Sequence, residues 1–122
     1  MKAKKVLVVD DSETIRQQVG KALTGAGFTV VEAADGLEGL EQAAAHEISL
    51  AIVDVNMPRL NGLEMLERLK ADPKHEKIAI LILTTEVQAS LIERAKKAGA
   101  RGWMIKPVKM EHLVSTVNKL TA

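Results

Sequence analysis

The chain has 122 residues with 47% hydrophobic content, which suits one domain with its own core and leaves no room for a second folded module. A formal charge of +1, with only Phe28 and Trp103 as aromatic side chains, argues against nucleic-acid binding and points to protein partners. Lack of cysteine excludes disulfides and thiolate zinc sites and agrees with a cytoplasmic location.

The opening Met1-Lys2-Ala3-Lys4-Lys5 carries no signal-like apolar stretch, and nowhere do roughly 18 apolar residues run together, so a soluble, unexported chain is expected. The run Val6-Leu7-Val8-Val9 reads as a first strand ending on Asp10-Asp11. Ser12 suits an N-cap, and Ile15, Val19, Leu23 and Ala26 recur at helical spacing until Gly25 and Gly27 stop the helix. Phe28 to Ala33 is a second strand. Asp35-Gly36 then makes a turn and cap before a helix with Leu37, Leu40, Ala43 and Ala44. A third strand, Leu50-Ala51-Ile52-Val53, ends on Asp54. Pro58 and Asn61-Gly62 keep the following stretch as a loop, and Leu63, Leu66 and Leu69 mark the next helix, broken at Asp72-Pro73.

The fourth strand, Ile80-Leu81-Ile82-Leu83, ends on Thr84, and Leu91, Ile92, Ala95 and Ala98 mark a helix closed by Gly99. A short strand, Trp103-Met104-Ile105, ends on Lys106. Pro107 is expected where the last helix begins, with Met110, Leu113, Val114, Val117 and Leu120 as its apolar stripe. Regular alternation of strand and helix predicts an α/β domain with a parallel sheet covered on both faces. Such sheets gather ligands beyond the carboxyl ends of their strands, so Asp10, Asp11, Asp54, Thr84 and Lys106 should share one rim. Basic residues gather late, at Arg94, Lys96, Lys97, Arg101, Lys106 and Lys109, and read mainly as a solvated face.

Three carboxylates at one rim repel one another unless a cation neutralises them, and a hard divalent ion such as Mg2+, which prefers oxygen ligands, is the simple remedy. His46, His75 and His112 lack metal-ligand spacing. Phosphoryl transfer needs a nucleophile and positive charge on the phosphoryl oxygens. Asp54 is the candidate nucleophile, Lys106 a point charge for one phosphoryl oxygen, and the Thr84 hydroxyl a hydrogen-bond donor to another.

Over essentially its whole length, 1–122, the chain resembles the receiver domain of two-component response regulators. The carriers are Val8-Val9-Asp10-Asp11-Ser12, Asp54-Val55-Asn56-Met57-Pro58 with Asn61-Gly62, Leu83-Thr84-Thr85, Ala98-Gly99-Ala100 and Lys106-Pro107. The resemblance implies a flavodoxin-like (βα)5 doubly wound fold with strand order 2-1-3-4-5, an order for which the chemotaxis member of the family is a standing example. It implies that Asp54 accepts a phosphoryl group from a histidine kinase, with Mg2+ held directly by Asp11 and Asp54, by the Asn56 backbone carbonyl, and by Asp10 through water. Lys106 and Thr84 would bind the phosphoryl oxygens, and the Lys106-Pro107 peptide would be cis, which is uncommon even before proline.

The resemblance further makes Thr84 the trigger of a switch and places Trp103 at the position of its rotating aromatic, where the family usually carries tyrosine or phenylalanine. Phosphorylation would then change the surface of the fourth helix, fifth strand and fifth helix, where a downstream protein binds. Asn56, Thr85 and Glu86 are expected to tune dephosphorylation, Thr85 by narrowing access for water. A stand-alone, self-phosphorylating and self-dephosphorylating switch with no turnover substrate is the leading expectation, with chemotaxis its setting. A phosphorelay intermediate or phosphate sink is the alternative. The expected state is a monomer, with weak pairing of copies permitted. A haloacid dehalogenase-type phosphatase is disfavoured because Asp10-Asp11 is contiguous where that class has Asp-x-Asp, and a flavin module because no glycine-rich phosphate loop follows the first strand.

Overall fold

The computed structural model describes residues 3–122; Met1 and Lys2, the first two residues of the expected lead-in, lie outside the described residues. Five strands, β1 (Lys5–Val9), β2 (Thr29–Ala33), β3 (Leu50–Val53), β4 (Ala79–Thr84) and β5 (Gly102–Ile105), form one parallel sheet in the order 2-1-3-4-5. Every residue of β3 and β4 is buried, as continuous apolar runs in the middle of a two-sided sheet require.

Alternate side chains feed two core layers. Leu7, Val9, Ala51, Val53, Ile80 and Ile82 pack toward α2 (Gly36–Ala45), α3 (Gly62–Ala71) and α4 (Ala89–Lys97), meeting Ala43, Met65, Leu66, Leu69 and Ala95. Val6, Val8, Leu50, Ile52, Leu81 and Leu83 face the other way, toward α1 (Glu13–Gly25) and α5 (Met110–Thr121), and meet Val19, Leu23, Leu113 and Val117. Among the described residues no helix is long and apolar enough to cross a membrane.

Three local expectations need correction. Gly25 does not stop α1: the helix runs through it to a cap at Ala26, and Gly27, at φ 94°, makes the exit that a side chain would resist. Phe28 is buried but precedes β2 rather than opening it. Pro107 does not begin the last helix. Residue 109 is still extended, at φ −70° and ψ 133°, so the first helical bond runs from Leu113 N–H to the Lys109 carbonyl and α5 starts at Met110. The Lys106-Pro107 peptide is cis. Where Asp72-Pro73 breaks α3, the chain makes a short 3-10 turn, Pro73–His75, with the Asp72 side chain accepting from Lys74 N–H.

Candidate functional site

Register brings the acidic residues together. Val9 of β1 lies beside Val53 of β3, and the Asp54 N–H donates to the Val9 carbonyl at 3.0 Å, so Asp10 and Asp54 emerge side by side. On the other flank Val53 pairs with Ile82, and Thr84 pairs with Ile105 of β5. The Lys106 N–H donates to the Thr84 carbonyl at 2.8 Å, setting the lysine at the same rim. One oxygen from each of Asp10, Asp11 and Asp54 lies within 4.8 Å of the others. Asp10 and Asp54 are buried and Asp11 is exposed, which gives the cluster a protein side and a solvent side.

Lys106 supplies the positive charge inside this group. Its Nζ donates to Asp10 Oδ2 at 2.7 Å and to Asp54 Oδ2 at 3.1 Å. Partial burial works against the ammonium, but the hydrogen bonds and charges of Asp10 and Asp54 outweigh it and hold Lys106 above the ordinary lysine range. Remaining carboxylate oxygens take backbone donors: Ser12 N–H gives to Asp10 Oδ1 at 2.9 Å, and Val55 N–H to Asp54 Oδ1 at 2.7 Å. The two buried carboxylates are therefore fixed in orientation, while Asp11 faces water.

The loop after Asp54 folds back hard on the strand end. Gly62 N–H donates to the Val55 carbonyl at 2.9 Å, and a Cβ on Gly62 would sit 2.0 Å from the Asp54 carbonyl oxygen, so only glycine allows this approach. Asn61 and Glu64 then form a reciprocal capping box at the start of α3.

Thr84 is fully buried, and its Oγ1 accepts from Glu86 N–H at 3.3 Å. Glu86 is held at two further points. Its side chain accepts from Asn56 Nδ2 at 2.7 Å, and its carbonyl accepts from Trp103 Nε1 at 3.1 Å. The half-buried Trp103 thus satisfies its indole N–H on the segment that follows Thr84, and Asn56 and Glu86 join across the rim. Thr85 is exposed on the other side, lining a cavity of about 340 Å³ with Ile15, Val19, Lys106 and Met110.

Some participants carried no sequence signal. Arg16 donates through Nη1 to the Asp10 carbonyl at 2.6 Å and through Nε to Glu32 Oε1 at 3.1 Å. Arg59, in the left-handed region at φ 66°, grips Asp35 with two hydrogen bonds, Nε to Oδ2 at 2.7 Å and Nη2 to Oδ1 at 3.1 Å. These partners lie 16 and 24 residues apart, beyond any helical or strand period. Asp35 was legible only as the cap of α2, where its Oδ1 accepts from Glu38 N–H at 2.9 Å.

The donor set fits a hard divalent cation. It consists of carboxylate oxygens with an exposed member open to water, and among the described residues it is the one group of three or more such side chains placed to hold a metal.

Residues 6–118 match the model of the response regulator receiver domain family. The chain is 34% identical to a probable chemotaxis protein CheY of Rhizobium etli, over 93% of its own length and 88% of that protein. It is 38% identical to a chemotaxis protein CheY homolog of Campylobacter jejuni, over 84% of its length and 81% of the relative. Among solved structures, chemotaxis response regulator CheY4 of Vibrio cholerae superposes with a TM-score of 0.91 at 39% identity, covering 98% of this chain and 99% of that one.

Proposed function

The chain belongs to the response regulator receiver family, and we propose that it works as a phosphorylation-controlled protein-binding switch, its receiver domain extending from the matched residues 6–118 to the whole of 1–122. The observation that carries this reading is the Lys106 ammonium bridging Asp10 and Asp54 beside Asp11. A carboxylate, a resident cation and an open acidic flank are what in-line phosphoryl transfer to a side chain demands.

The phosphodonor is the phosphohistidine of a histidine kinase. An Asp54 carboxylate oxygen attacks phosphorus, the P–N bond breaks, and the imidazole departs with the bonding pair and takes up a proton. Asp54 becomes an acyl phosphate. Asp11, Asp54 and the Asn56 backbone carbonyl would hold Mg2+, with Asp10 contacting it through water, the division of roles that the family resemblance implies. Bound Mg2+ would draw charge from the transferring group and orient its oxygens. Lys106 exchanges part of its carboxylate pairing for a phosphoryl oxygen. Attack of water on phosphorus breaks the acyl phosphate, releases inorganic phosphate and returns Asp54 to the carboxylate, under the influence of the Asn56 and Glu86 side chains at the rim and of Thr85.

Thr84 turns the modification into a signal. Its hydroxyl gives up Glu86 N–H to reach the phosphoryl group, and the segment that Trp103 holds through the Glu86 carbonyl is released with it. The altered surface is that of α4, β5 and α5, where the target protein binds. Chemotaxis is the setting favoured by the relatives' names and by the Asn56 and Glu86 pair. The protein acts in the cytoplasm, on protein partners rather than on nucleic acid or membrane, and is a switch rather than an enzyme with a turnover substrate.

Trp103, the only tryptophan, tests the whole scheme. Its fluorescence should respond to Mg2+ and then to acetyl phosphate or beryllofluoride in the parent protein, whereas Asp54→Asn should give no response to the phosphoryl reagents. Equal responses from both proteins would remove Asp54 as acceptor.

A further inference from the structure

The segment from Glu32 to Gly36, at the end of β2 and the start of α2, contributes nothing to the acidic cluster, yet both loops that form the cluster are tied to it. On the β1 side, Asp10 N–H donates to the Ala33 carbonyl at 3.1 Å, and Arg16 links the Asp10 carbonyl to Glu32. On the β3 side, Gly36 N–H donates to the Leu60 carbonyl at 3.0 Å, and Arg59 grips Asp35 two-pronged. Each metal-bearing loop thus has one backbone tie and one arginine tie to the same five-residue segment. We infer that Glu32–Gly36 acts as a template fixing the separation of the two loops, and that Arg16 and Arg59 are positioning residues for the cation. This inference rests on the metal binding proposed above.

The β3 side shows how the tie would work. The stretch between the two anchors is short: Val55 is pinned by Asp54 Oδ1 and Gly62 N–H, while Arg59 and Leu60 are pinned to the template. Only Asn56, Met57 and Pro58 lie between, and Asn56 is the residue whose carbonyl is proposed as a ligand. The left-handed backbone at Arg59, uncommon for any residue that carries a Cβ, is held by the paired side chain. On the β1 side the guanidinium fixes the peptide between Asp10 and Asp11, and hence the direction from which Asp11 leaves the strand.

Charge and geometry predict opposite outcomes when these arginines are removed. Coulomb's law alone says that deleting a positive charge in the neighbourhood of a cation site leaves binding of that cation unchanged or tightens it. A positioning role says that binding weakens, and that Mg2+, which demands near-ideal octahedral geometry, suffers more than the adaptable Ca2+. Loss of a group that holds a ligand in place costs metal affinity about 10–100-fold.

The test is calorimetric titration of Mg2+ and Ca2+ into the full chain and into Arg59→Asn, Arg16→Gln and Arg59→Lys. Asparagine tolerates the left-handed backbone, so Arg59→Asn removes the grip without adding strain. A cooperative melting transition of the metal-free protein well above the titration temperature and an unchanged circular dichroism spectrum would confirm folding in each variant, with Asp35→Asn, which keeps the α2 cap, as a second route to the same break. We expect Mg2+ affinity to fall about tenfold in Arg59→Asn and in Arg16→Gln, with a smaller loss for Ca2+ and partial recovery in Arg59→Lys. Mg2+ affinity that is unchanged or tighter, or a loss equal for both ions, overturns the positioning role while leaving the proposed site intact. Absence of Mg2+ binding in the parent protein overturns the proposed function and this inference with it.

Discussion

Replacing Gly62 by alanine places a methyl group in space already filled. A Cβ there would lie 2.0 Å from the Asp54 carbonyl oxygen and 2.9 Å from both its carbonyl carbon and Val53 Cγ1. Two of those atoms are backbone, so no rotamer change relieves the clash, and the loop must lift away from β3. Overpacking of this kind costs about 1–3 kcal/mol, and a contact against backbone belongs at the upper end, ~3 kcal/mol. The entropy of unfolding, about 2.1 cal/mol/K per residue, gives ~0.26 kcal/mol/K for 122 residues, so the melting temperature should drop by roughly 12 °C. Gly25 is the internal control. It is the last residue of α1 with nothing within 4 Å of an added Cβ, so Gly25→Ala should gain about 0.5 kcal/mol from helix propensity and raise the melting temperature by roughly 2 °C. Thermal unfolding followed by circular dichroism in EDTA reads both. A Gly62→Ala protein melting within about 3 °C of the parent would refute the claim that the loop's approach to Asp54 is sterically closed to a side chain.

Lys106→Met leaves the buried carboxylates of Asp10 and Asp54 without their shared cation. In EDTA at neutral pH we expect a loss of about 3 kcal/mol, partly restored by Mg2+, together with retained Mg2+ binding and loss of the Trp103 fluorescence response to beryllofluoride. Loss of Mg2+ affinity in this variant would show that Lys106 is needed to build the cation site rather than to read the phosphoryl group. Asp35 has its carboxyl held below the usual value near 3.8, first by the hydrogen bond from Arg59 and then by that from Glu38 N–H, with burial opposing. Because the folded-state value is the lower one, the stabilisation is complete above pH 3.8 and disappears as pH falls through the depressed value. Asp35→Asn keeps the α2 cap but cannot titrate, so the slope of stability against pH below 3.8 should be shallower than the parent's by up to one proton equivalent. Identical slopes would mean that the Arg59 pair does not stabilise the fold.

The rim was legible because each of its members follows an apolar run long enough to be a buried strand, so Asp10, Asp54, Thr84 and Lys106 could be placed without knowing which strand neighbours which. The order 2-1-3-4-5 came from family resemblance, since periodicity records what a strand buries and not what it pairs with. Helix ends were read less well. Gly25 looked like a stop but lies within α1, where glycine can take helical angles, and Pro107 looked like a helix start although Lys109 is still extended. The hold of Arg16 on the Asp10 carbonyl and of Arg59 on Asp35 was invisible, because nothing local in the sequence marks the arginine that reaches a distant oxygen. The capping box of Asn61 and Glu64 could have been found, since an N-cap residue followed three positions later by glutamate is its signature.

Within the sheet, β1, β3 and β4 each have neighbours on both sides, so displacing any of them would tear two ladders at once. β5 has a single partner, and on it sits Trp103, with Lys106 hinged just past its end. The strand assigned to carry news of the phosphoryl group outward is therefore one of the two that can shift or lean while the rest of the sheet stays assembled. The other margin, β2, belongs to the segment that braces the acidic loops, so pliancy and rigidity fall on opposite borders of one sheet.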